Sequence, residues 1–381
     1  MTKILFFYPD NPLIINQGNN SRANKLLNYF KSRNCIVDFV GEHKRDFLPE
    51  ELEDIKNSGL VNNVYMVPKR KNSGLKYLFG TSIPNKIKGF PRQFQRISYN
   101  QKKYFENILN ENSYDYIIIS YVLFFPFIEN KSLTKNSKVI VDTHDFFTGQ
   151  FSQIKRTDLG KLFKTEINQL KKFDSIWAIS AEEQFIFSQF LPEKEILTIP
   201  HGVESNFIQK PETKEIDLFY VASNNPHNLN SAKWFFEKVY PLLPKHIQIT
   251  IVGRVNQVID DYPNVRKIEF AESLDELYQS SKVTICPMLS GTGLKIKVVE
   301  SLSYGIPVVC NERGVDGLLS KINNGCLVSN NPHEFADFIE KLLNDEEYYN
   351  KISREGKEFF TQSLDENIVF KKLDYFFEFE K

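Results

Sequence analysis

Residues 287–318 read PMLSGTGLKIKVVESLSYGIPVVCNERGVDGL, and this stretch decides the fold. The apolar run Val283–Cys286 before it predicts a strand, Gly291–Gly293 predicts a tight turn, and Lys295–Tyr304 predicts a helix. A glycine turn between a strand and a helix leaves the free backbone N–H groups of the helix N-terminus where a phosphate can bind. The stretch therefore predicts an α/β domain with a phosphate site at the end of a strand.

Glu300 adds a second ligand feature to the same stretch. It follows Gly293 by seven residues, about two helical turns, and so borders the same pocket. A carboxylate in that position suits paired sugar hydroxyls, as acidic residues hold ribose in other nucleotide sites. Phosphates at the turn and a diol at Glu300 together describe a nucleotide-sugar.

This stretch resembles the donor-site signature of glycosyltransferases of the GT-B fold, in particular the large retaining group called group 1 or family 4. The matching positions are Pro287, Gly291, Gly293, Lys297, Glu300–Ser301, Gly305, Pro307–Val309 and Gly314–Leu318. The resemblance implies two Rossmann-like, doubly wound α/β domains facing each other across a cleft. The alternative is an ordinary βαβ unit whose glycines only serve turns.

Length and composition fit this expectation. A chain of 381 residues suits two domains with a core each. Lys+Arg and Asp+Glu both number 48, so the net charge gives no argument for nucleic acid. The four cysteines are scattered, which favours free thiols in a reducing compartment. The chain opens without a signal-peptide pattern, and its longest uncharged apolar run, Tyr116–Ile128, is too short to span a bilayer. We therefore expect a cytoplasmic protein without a transmembrane anchor.

Short apolar runs alternate with longer amphipathic ones, which predicts parallel sheets flanked by helices. The predicted strands are Ile4–Tyr8, Ile36–Val40, Val64–Val67, Tyr116–Ser120, Val139–Asp142, Ile176–Ser180 and Ile196–Ile199, then Leu218–Ala222, Ile247–Val252, Lys267–Phe270, Val283–Cys286, Pro307–Cys310 and Cys326–Val328. A polar break between Val203 and Ile216 predicts the linker. We predict an acceptor-side domain over 1–205, a donor domain over 206–360, and a helix in 361–381 that the resemblance places against the first domain.

Two segments of the first domain are candidate sites. Gly18 and Asn19 follow the first strand, and the resemblance places them against the donor phosphates or the acceptor; the alternative is a plain polar turn with Ser21 as the cap of the next helix. Asp142 and His144 end the fifth strand, where group 1 enzymes often show Asp-x-His-Asp with the histidine near the donor sugar. The resemblance makes His144 a hydrogen-bond partner of the sugar, oriented by Asp142 or by Asp145. A hydrogen-bonded structural pair is the alternative.

The donor domain departs from the family pattern in two places. Its first loop, Val221–Asn228, carries Asn and His where many relatives have Arg and Lys, so Arg254 or Lys297 is predicted to supply the missing charge. The family's Glu-x7-Glu pattern has Thr292 at its first position, and Thr can bond a hydroxyl without carrying charge. The predicted donor-binding set is Gly18, Asn19, Gly253, Arg254, Gly291, Thr292, Gly293, Leu294, Lys297 and Glu300. His144, Asp142 and Glu300 are the predicted catalytic residues.

Every charged residue between Lys69 and Lys103 is basic, and aromatic and aliphatic residues lie between them. The residues singled out for an acceptor or a membrane are Lys69, Arg70, Lys71, Lys86, Lys88 and Arg92. Three interpretations stay open: a solvated face, contact with anionic lipid headgroups at the inner face of the membrane, or a lipid-diphosphate acceptor. The neutral chain and the donor signature disfavour single-stranded nucleic acid.

The predicted function is a retaining transfer of a sugar from a nucleotide-diphosphate-sugar to a hydroxyl of a glycan, lipid-linked or protein acceptor, in bacterial cell-surface polysaccharide or glycoconjugate synthesis. The resemblance implies no cofactor and no metal, because backbone N–H groups and basic side chains stabilise the leaving diphosphate. The alternatives are a nucleotide-sugar epimerase or hydrolase of the same fold, and a non-catalytic partner subunit. A Rossmann oxidoreductase is disfavoured because no Gly-x-Gly-x-x-Gly follows Ile4–Tyr8.

Overall fold

The structure is a computed structural model that describes residues 1–15, 18–151, 154, 156–207, 215–291 and 293–379. The chain forms two compact units, Met1–Ile199 and Pro200–Glu380. Each unit contains one sheet, and every strand pair within both sheets is parallel.

The first unit is built on a seven-stranded sheet in the order β3-β2-β1-β4-β5-β6-β7. The strands are β1 Lys3–Phe7, β2 Ile36–Glu42, β3 Asn63–Val67, β4 Tyr116–Ser120, β5 Lys138–Asp142, β6 Ser175–Ala178 and β7 Glu195–Thr198. Its helices are α1 Gly18–Ser32, α2 Leu52–Asn57, α3 Leu75–Tyr77, α4 Ile83–Ile87, α5 Tyr99–Glu111, α6 Phe147–Gln150, α7 Leu159–Leu170 and α8 Ala181–Phe190, with a π turn at Leu78–Ser82 and 3-10 turns at Pro49–Glu51, Arg92–Phe94, Val122–Ile128 and Lys131–Leu133. The centre of β4 is the unbroken apolar run 117–119, fully buried, as expected of a parallel strand covered on both faces.

The second unit is built on a six-stranded sheet in the order β10-β9-β8-β11-β12-β13. The strands are β8 Ile216–Val221, β9 Ile249–Val252, β10 Val265–Ile268, β11 Ser281–Cys286, β12 Val308–Cys310 and β13 Cys326–Val328. The helices are α9 Pro226–Trp234, α10 Asp275–Gln279, α11 Ile296–Ser303, α12 Pro332–Asn344, α13 Glu346–Ser363 and α14 Glu366–Phe377, with a π turn at Phe235–Val239 and 3-10 turns at Tyr240–Leu242, Arg254–Val258 and Glu312–Val315.

Both sheets have the doubly wound order 3-2-1-4-5-6 in their first six strands. The chain therefore winds away in opposite directions from the pairs β1/β4 and β8/β11, and each pair marks a switch point where ligands bind beyond the carboxyl ends of the strands. The predicted doubly wound α/β fold is confirmed, and each predicted strand is present. The ends of some strands differ from the prediction by a few residues: the strand predicted at Lys267–Phe270 spans Val265–Ile268.

The helix that begins at Pro226 changes at Phe235 to a π turn and then to a 3-10 turn, because Pro241 has no N–H to continue the α-helical pattern. Helix α14 packs on α13 in the second unit, and residues 208–214 of the predicted linker lie outside the described residues. The predicted packing of the last helix against the first domain stays a prediction. Among the described residues, no helix is both long enough and apolar enough to cross a membrane.

Candidate functional site

The loops that follow β8 and β9 approach each other closely in the second unit. Gly253 has a φ of +113°, and a Cβ on it would lie 2.2 Å from the carbonyl oxygen of Ala222. Any other residue would clash with that carbonyl and adopt a conformation that L side chains avoid. Arg254 follows directly and its side chain is exposed. The geometry thus places two of the predicted donor residues at the carboxyl end of the sheet, next to the end of β8.

The loop after β11 lies beside the loop after β8. Gly291 and Gly293 have φ values of +96° and +78°, which confirms a turn that requires glycine. His227 Nδ1 is 2.7 Å from Ser290 Oγ, and the His227 ring lies 3.5 Å from where a Cβ of Gly291 would stand. Asn225 caps α9 by accepting a hydrogen bond from the Asn228 N–H at 2.9 Å. The glycine turn and the α9 N-terminus therefore share one corner of the β8/β11 switch point, and Thr292 lies outside the described residues.

Two lysines bring positive charge to this corner. Lys297 Nζ donates to Asn228 Oδ1 at 3.1 Å and stands 5.5 Å from the centre of the Tyr220 ring. Burial lowers the pKa of Lys297. Lys295 is buried and donates to the Gly293 carbonyl at 2.7 Å, which braces the turn from inside. The sequence predicts that Lys297 supplies positive charge in place of the missing Arg and Lys. It does hydrogen-bond to the loop Val221–Asn228, in which that basic pair is absent.

Glu300 is positioned by a pair of tyrosines. Tyr278 donates to Glu300 Oε2 at 3.0 Å, and the Tyr278 ring stacks on Tyr304 with centroids 5.0 Å apart. Tyr304 in turn hydrogen-bonds to Asp275. Burial, followed by the charge of Glu300, raises the pKa of Tyr278 well above its ordinary value, so its hydroxyl keeps the proton that it donates. Leu294, also in the predicted set, contacts Gly317, whose added Cβ would lie 2.8 Å from the Leu294 Cα.

In the first unit, Asp142 is held by a buried arginine from α1. Arg22 Nε and Nη2 donate to the Asp142 carboxylate at 2.9 and 2.7 Å, and the two side chains are 3% and 0% exposed. Burial alone would raise the pKa of Asp142, but the charges of Arg22 and then His144 outweigh it and hold that pKa below its usual range. Asp142 therefore stays ionised in a dry environment, and one of its carboxylate oxygens lies 3.1 Å from His144 Nε2.

The His144 segment is conformationally unusual. His144 has a φ of +60°, which is rare outside glycine, and its ring is buried. The ring stacks against Tyr121 at 4.4 Å between centroids and against Tyr8 at 5.7 Å. Asn19 donates to the Tyr121 hydroxyl at 2.8 Å. The structure thus brings together Asn19, Asp142 and His144, which the sequence predicts separately.

One prediction about this region is wrong. Ser21 does not cap the helix, because α1 already begins at Gly18 and Ser21 lies inside it. The residue that anchors this turn is Asn20, which is buried and accepts from the Tyr8 hydroxyl at 2.6 Å. Gly18 and Asn19 are accordingly the first residues of a helix N-terminus that follows β1, rather than part of a separate loop.

A cavity of about 270 Å³ opens beside this cluster. Its lining includes Tyr121, Thr143 and Asp145, together with the cations Lys44 and Arg96. The neighbours of His144 thus reach the cavity, while its own ring packs against Tyr121 and Tyr8. Lys44 pairs with Asp10 and Arg96 with Glu42, so the polar part of the lining suits the hydroxyl groups of a ligand.

Two buried carboxyl groups hold the loop after β5. Glu183 accepts from Thr143 Oγ1 at 2.8 Å, and Glu166 accepts from the Thr148 N–H at 2.8 Å. Burial raises the pKa of Glu183 to about 8 and that of Glu166 to about 7. Both groups therefore titrate near neutral pH under the segment that contains His144.

This predicts a pH dependence of folding that Glu183→Gln should reduce. The pKa of Glu183 is higher in the folded protein than in the unfolded chain. Its contribution to the free energy of unfolding is therefore complete below the ordinary carboxyl pKa of 4.5 and is lost as the pH rises through about 8. We expect the free energy of unfolding of the wild type to fall more steeply between pH 5 and pH 8.5 than that of the variant. Urea titrations at several pH values measure this, with exposed Glu193→Gln as control. Equal slopes for wild type and Glu183→Gln would contradict the assignment.

The basic stretch is partly neutralised. Lys88 and Lys102 both pair with Glu129, and Arg96 pairs with Glu42 at 3.2 Å. Arg70 donates to the Gln95 carbonyl at 2.7 Å. The other residues predicted for an acceptor or a membrane, namely Lys69, Lys71, Lys86 and Arg92, are exposed.

Comparisons with known proteins bear on the second unit and on the fold. A model of the family described as "Glycosyl transferases group 1" matches residues 215–345, the part of the chain that contains β8 to β13. Residues 215–345 are a group 1 glycosyltransferase domain, and the chain has the GT-B fold of the solved structures that it resembles. The stretch Pro287–Leu318, which resembles the donor-site signature of such enzymes, lies inside the matched residues.

Solved structures share the fold of this chain over nearly its whole length. Sucrose-phosphate synthase from Thermosynechococcus elongatus has a TM-score of 0.72 at 15% identity, over 99% of this chain and 98% of that one. HepE from Anabaena, solved with UDP and glucose, has a TM-score of 0.67 at 14% identity, over 99% and 100% of the two chains. An uncharacterized 44.6 kDa protein in the cps region of Klebsiella pneumoniae is 23% identical over 98% of this chain and 99% of its own length.

Several side chains at the two switch points are not predicted from the sequence. They are Tyr8, Arg22, Tyr121, Asn228 and Tyr278. Two of them, Tyr8 and Tyr121, have a position in the sequence that predicts a place at the site. They immediately follow β1 and β4, where ligands of a switch point are expected. Arg22 and Tyr278 lie inside helices far along the chain from their partners, and no local pattern distinguishes them from ordinary helical residues.

Among the described residues, no group of three or more His, Cys, Asp or Glu side chains is placed to hold a metal ion. All four cysteines are free, two of them fully buried.

Proposed function

We propose that this glycosyltransferase moves a sugar, with retention of configuration, from a nucleotide-diphosphate-sugar to a hydroxyl of a glycan or lipid-linked acceptor. The observation that carries the proposal is the meeting of the glycine turn, Lys297 and the α9 N-terminus at the β8/β11 switch point. A glycine turn whose backbone can approach a ligand closely, with Lys297 beside it, forms a site suited to a diphosphate.

The donor is proposed to lie across this corner. Lys297 and Arg254 would balance the charge of the diphosphate, while the backbone of the glycine turn binds its oxygens. Glu300, held by Tyr278, would accept hydrogen bonds from the two ribose hydroxyls. The leaving diphosphate would be stabilised by these donors and would take the acceptor proton as the hydroxyl attacks from the face of departure. The proposed reaction is therefore metal-independent.

For the first unit we propose a supporting chemical role. His144 is the proposed hydrogen-bond partner of the donor sugar. Asp142 acts as its positioning residue, because the carboxylate is fixed by Arg22 and lies 3.1 Å from the imidazole. The left-handed backbone at His144 is a strained conformation of the kind that persists at functional sites.

The relatives support the biological setting. The Klebsiella pneumoniae relative is described as a protein of the cps region. A mutant of TarM from S. aureus, with a TM-score of 0.67 at 14% identity over 100% of both chains, was solved with fondaparinux, α-GlcNAc-glycerol and UDP. We accordingly propose a role in bacterial cell-surface polysaccharide synthesis, at a cytoplasmic location.

A transfer assay tests the proposal. The protein is incubated with radiolabelled UDP-, GDP-, ADP- and dTDP-sugars, with and without oligosaccharide and lipid-linked acceptors, and in the presence or absence of EDTA. We expect acceptor-dependent incorporation of label that EDTA does not reduce, with the anomeric configuration of the donor kept in the product by proton NMR. Release of free sugar with no acceptor dependence would favour the hydrolase, an isomerised nucleotide-sugar would favour the epimerase, and either result would overturn the proposal.

A further inference from the structure

One surface of the first unit exposes an apolar stripe along a helix. The turns α3, Leu78–Ser82 and α4 follow one another without a break from Leu75 to Ile87. The stripe consists of Leu75, Phe79, Ile83 and Ile87, which are 75%, 66%, 37% and 81% exposed. Residues four apart share one face of a helix, so these side chains point to the same side. A folded protein rarely leaves such a contiguous apolar patch in water unless it contacts something.

The stripe is surrounded by positive charge. Lys71, Lys76, Lys86 and Lys103 are all exposed and form no ion pair with any residue in the described part of the chain. The segment 69–103 has no acidic residue of its own. The carboxylates that pair with its other basic residues come from outside it, as Glu129 does for Lys88. The four lysines thus face solvent without an ion-pair partner among the described residues.

A groove runs beside the stripe. It has a volume of about 600 Å³, and its lining combines Lys71, Lys76 and Lys103 with the rings of Phe79, Tyr99 and Tyr104. Three lysines around an aromatic floor offer both an anion site and an apolar surface. This combination suits a molecule that has a negatively charged head and an apolar body.

We propose that this surface, made of the apolar stripe and the four lysines, docks the enzyme onto a membrane that carries anionic lipids. At 1.5 Å per residue the helical run is roughly 20 Å long, too short to span a bilayer but long enough to lie in its interface. Aliphatic side chains enter the headgroup region while the lysines remain at the anionic surface.

Charge and side-chain type argue against the other occupants. A second copy of the chain in a symmetric pair would bring the same lysines against each other, which is repulsive. Single-stranded nucleic acid stacks its bases on aromatic rings, whereas three of the four stripe residues are Leu or Ile and offer no ring face. The proposal is independent of the nucleotide-sugar chemistry in the second unit.

Vesicle co-sedimentation of the full-length protein tests the proposal, using phosphatidylcholine vesicles with and without about one third phosphatidylglycerol. One variant, Lys71→Gln/Lys76→Gln/Lys86→Gln, removes charge, and another, Leu75→Ser/Phe79→Ser/Ile87→Ser, removes the stripe. The matched controls are Lys238→Gln/Lys245→Gln/Lys351→Gln and Phe185→Ser/Ile322→Ser/Tyr375→Ser, at equally exposed positions elsewhere.

We expect binding to anionic vesicles only, weakened at least about tenfold by either test variant and unchanged by the controls. Unchanged thermal melting of each variant confirms that it is folded. No binding of the wild type to anionic vesicles, equal binding to neutral ones, or equal loss in the control variants would overturn the proposal. So would a concentration-dependent dimer abolished by the stripe variant, or tight binding to oligonucleotides without binding to vesicles.

Discussion

Arg22→Met is expected to destabilise the first unit by about 3–5 kcal/mol, the largest effect on stability that we foresee for a single substitution. The substitution removes the bidentate partner of Asp142 and leaves a carboxylate that is 0% exposed without its main counter-charge. Methionine fills a similar volume, so the loss reports charge rather than a cavity. Because the Asp142 carboxylate lies 3.1 Å from His144 Nε2, the stacked cluster should loosen together with the fold.

The two tryptophans allow this prediction to be measured in one unit at a time. Trp177 lies in β6 of the first unit and Trp234 in α9 of the second, so a Trp234→Phe background leaves a reporter for the first unit alone. Urea unfolding followed by Trp177 fluorescence should show the loss for Arg22→Met and little change for exposed Arg45→Met. Arg22→Met/Asp142→Asn should recover part of the stability, since it also removes the unpaired charge. A change below about 1 kcal/mol in Arg22→Met would contradict the assigned role of the pair.

Glu300→Gln is expected to weaken binding of a nucleoside diphosphate about 10- to 100-fold. Hydrogen bonds to a charged group contribute about 1.5–3 kcal/mol, and the amide keeps the shape of the side chain while losing the charge. The Gln side chain can still accept from Tyr278, so the local structure should persist. The effect should therefore appear in donor affinity and not in thermal stability. Calorimetric titration with the preferred nucleotide measures it.

Inorganic pyrophosphate separates the roles of the two charged residues. It has no ribose, so its affinity should be unchanged in Glu300→Gln and should fall at least about tenfold in Lys297→Met. Glu312→Gln, an exposed position in the same unit, is the control for the glutamate substitution. Equal loss of pyrophosphate affinity in both variants would contradict a division of the site into ribose and diphosphate parts.

Much of the fold can be predicted from the sequence, because a continuous apolar run predicts a buried strand of a parallel sheet. The run 117–119 and the valines at 139 and 141 are fully or almost fully buried, as their composition predicts. The sequence also predicts which glycines form the turns of the site. Gly253 and Gly291 must adopt positive φ where two loops meet, and that constraint is local to the chain. Topology then brings these local features to one edge of the sheet.

The rest of the site depends on contacts between residues far apart in sequence. Arg22 meets Asp142 across 120 residues, and Lys297 meets Asn228 across 69. Nothing around Arg22 in α1 distinguishes it from a surface residue, because helices commonly carry arginine on their exposed faces. The basic stretch shows the same limit, since only the structure reveals that Lys88 and Lys102 share the carboxylate of Glu129.

Calorimetric titration of the wild-type protein with UDP, GDP, ADP and dTDP tests most directly whether the β8/β11 switch point is a nucleotide-sugar donor site. We predict saturable one-to-one binding of at least one of the four, weakened at least about tenfold in both Glu300→Gln and Lys297→Met. Absence of binding by all four nucleotides, or binding that survives both substitutions unchanged, would contradict the account.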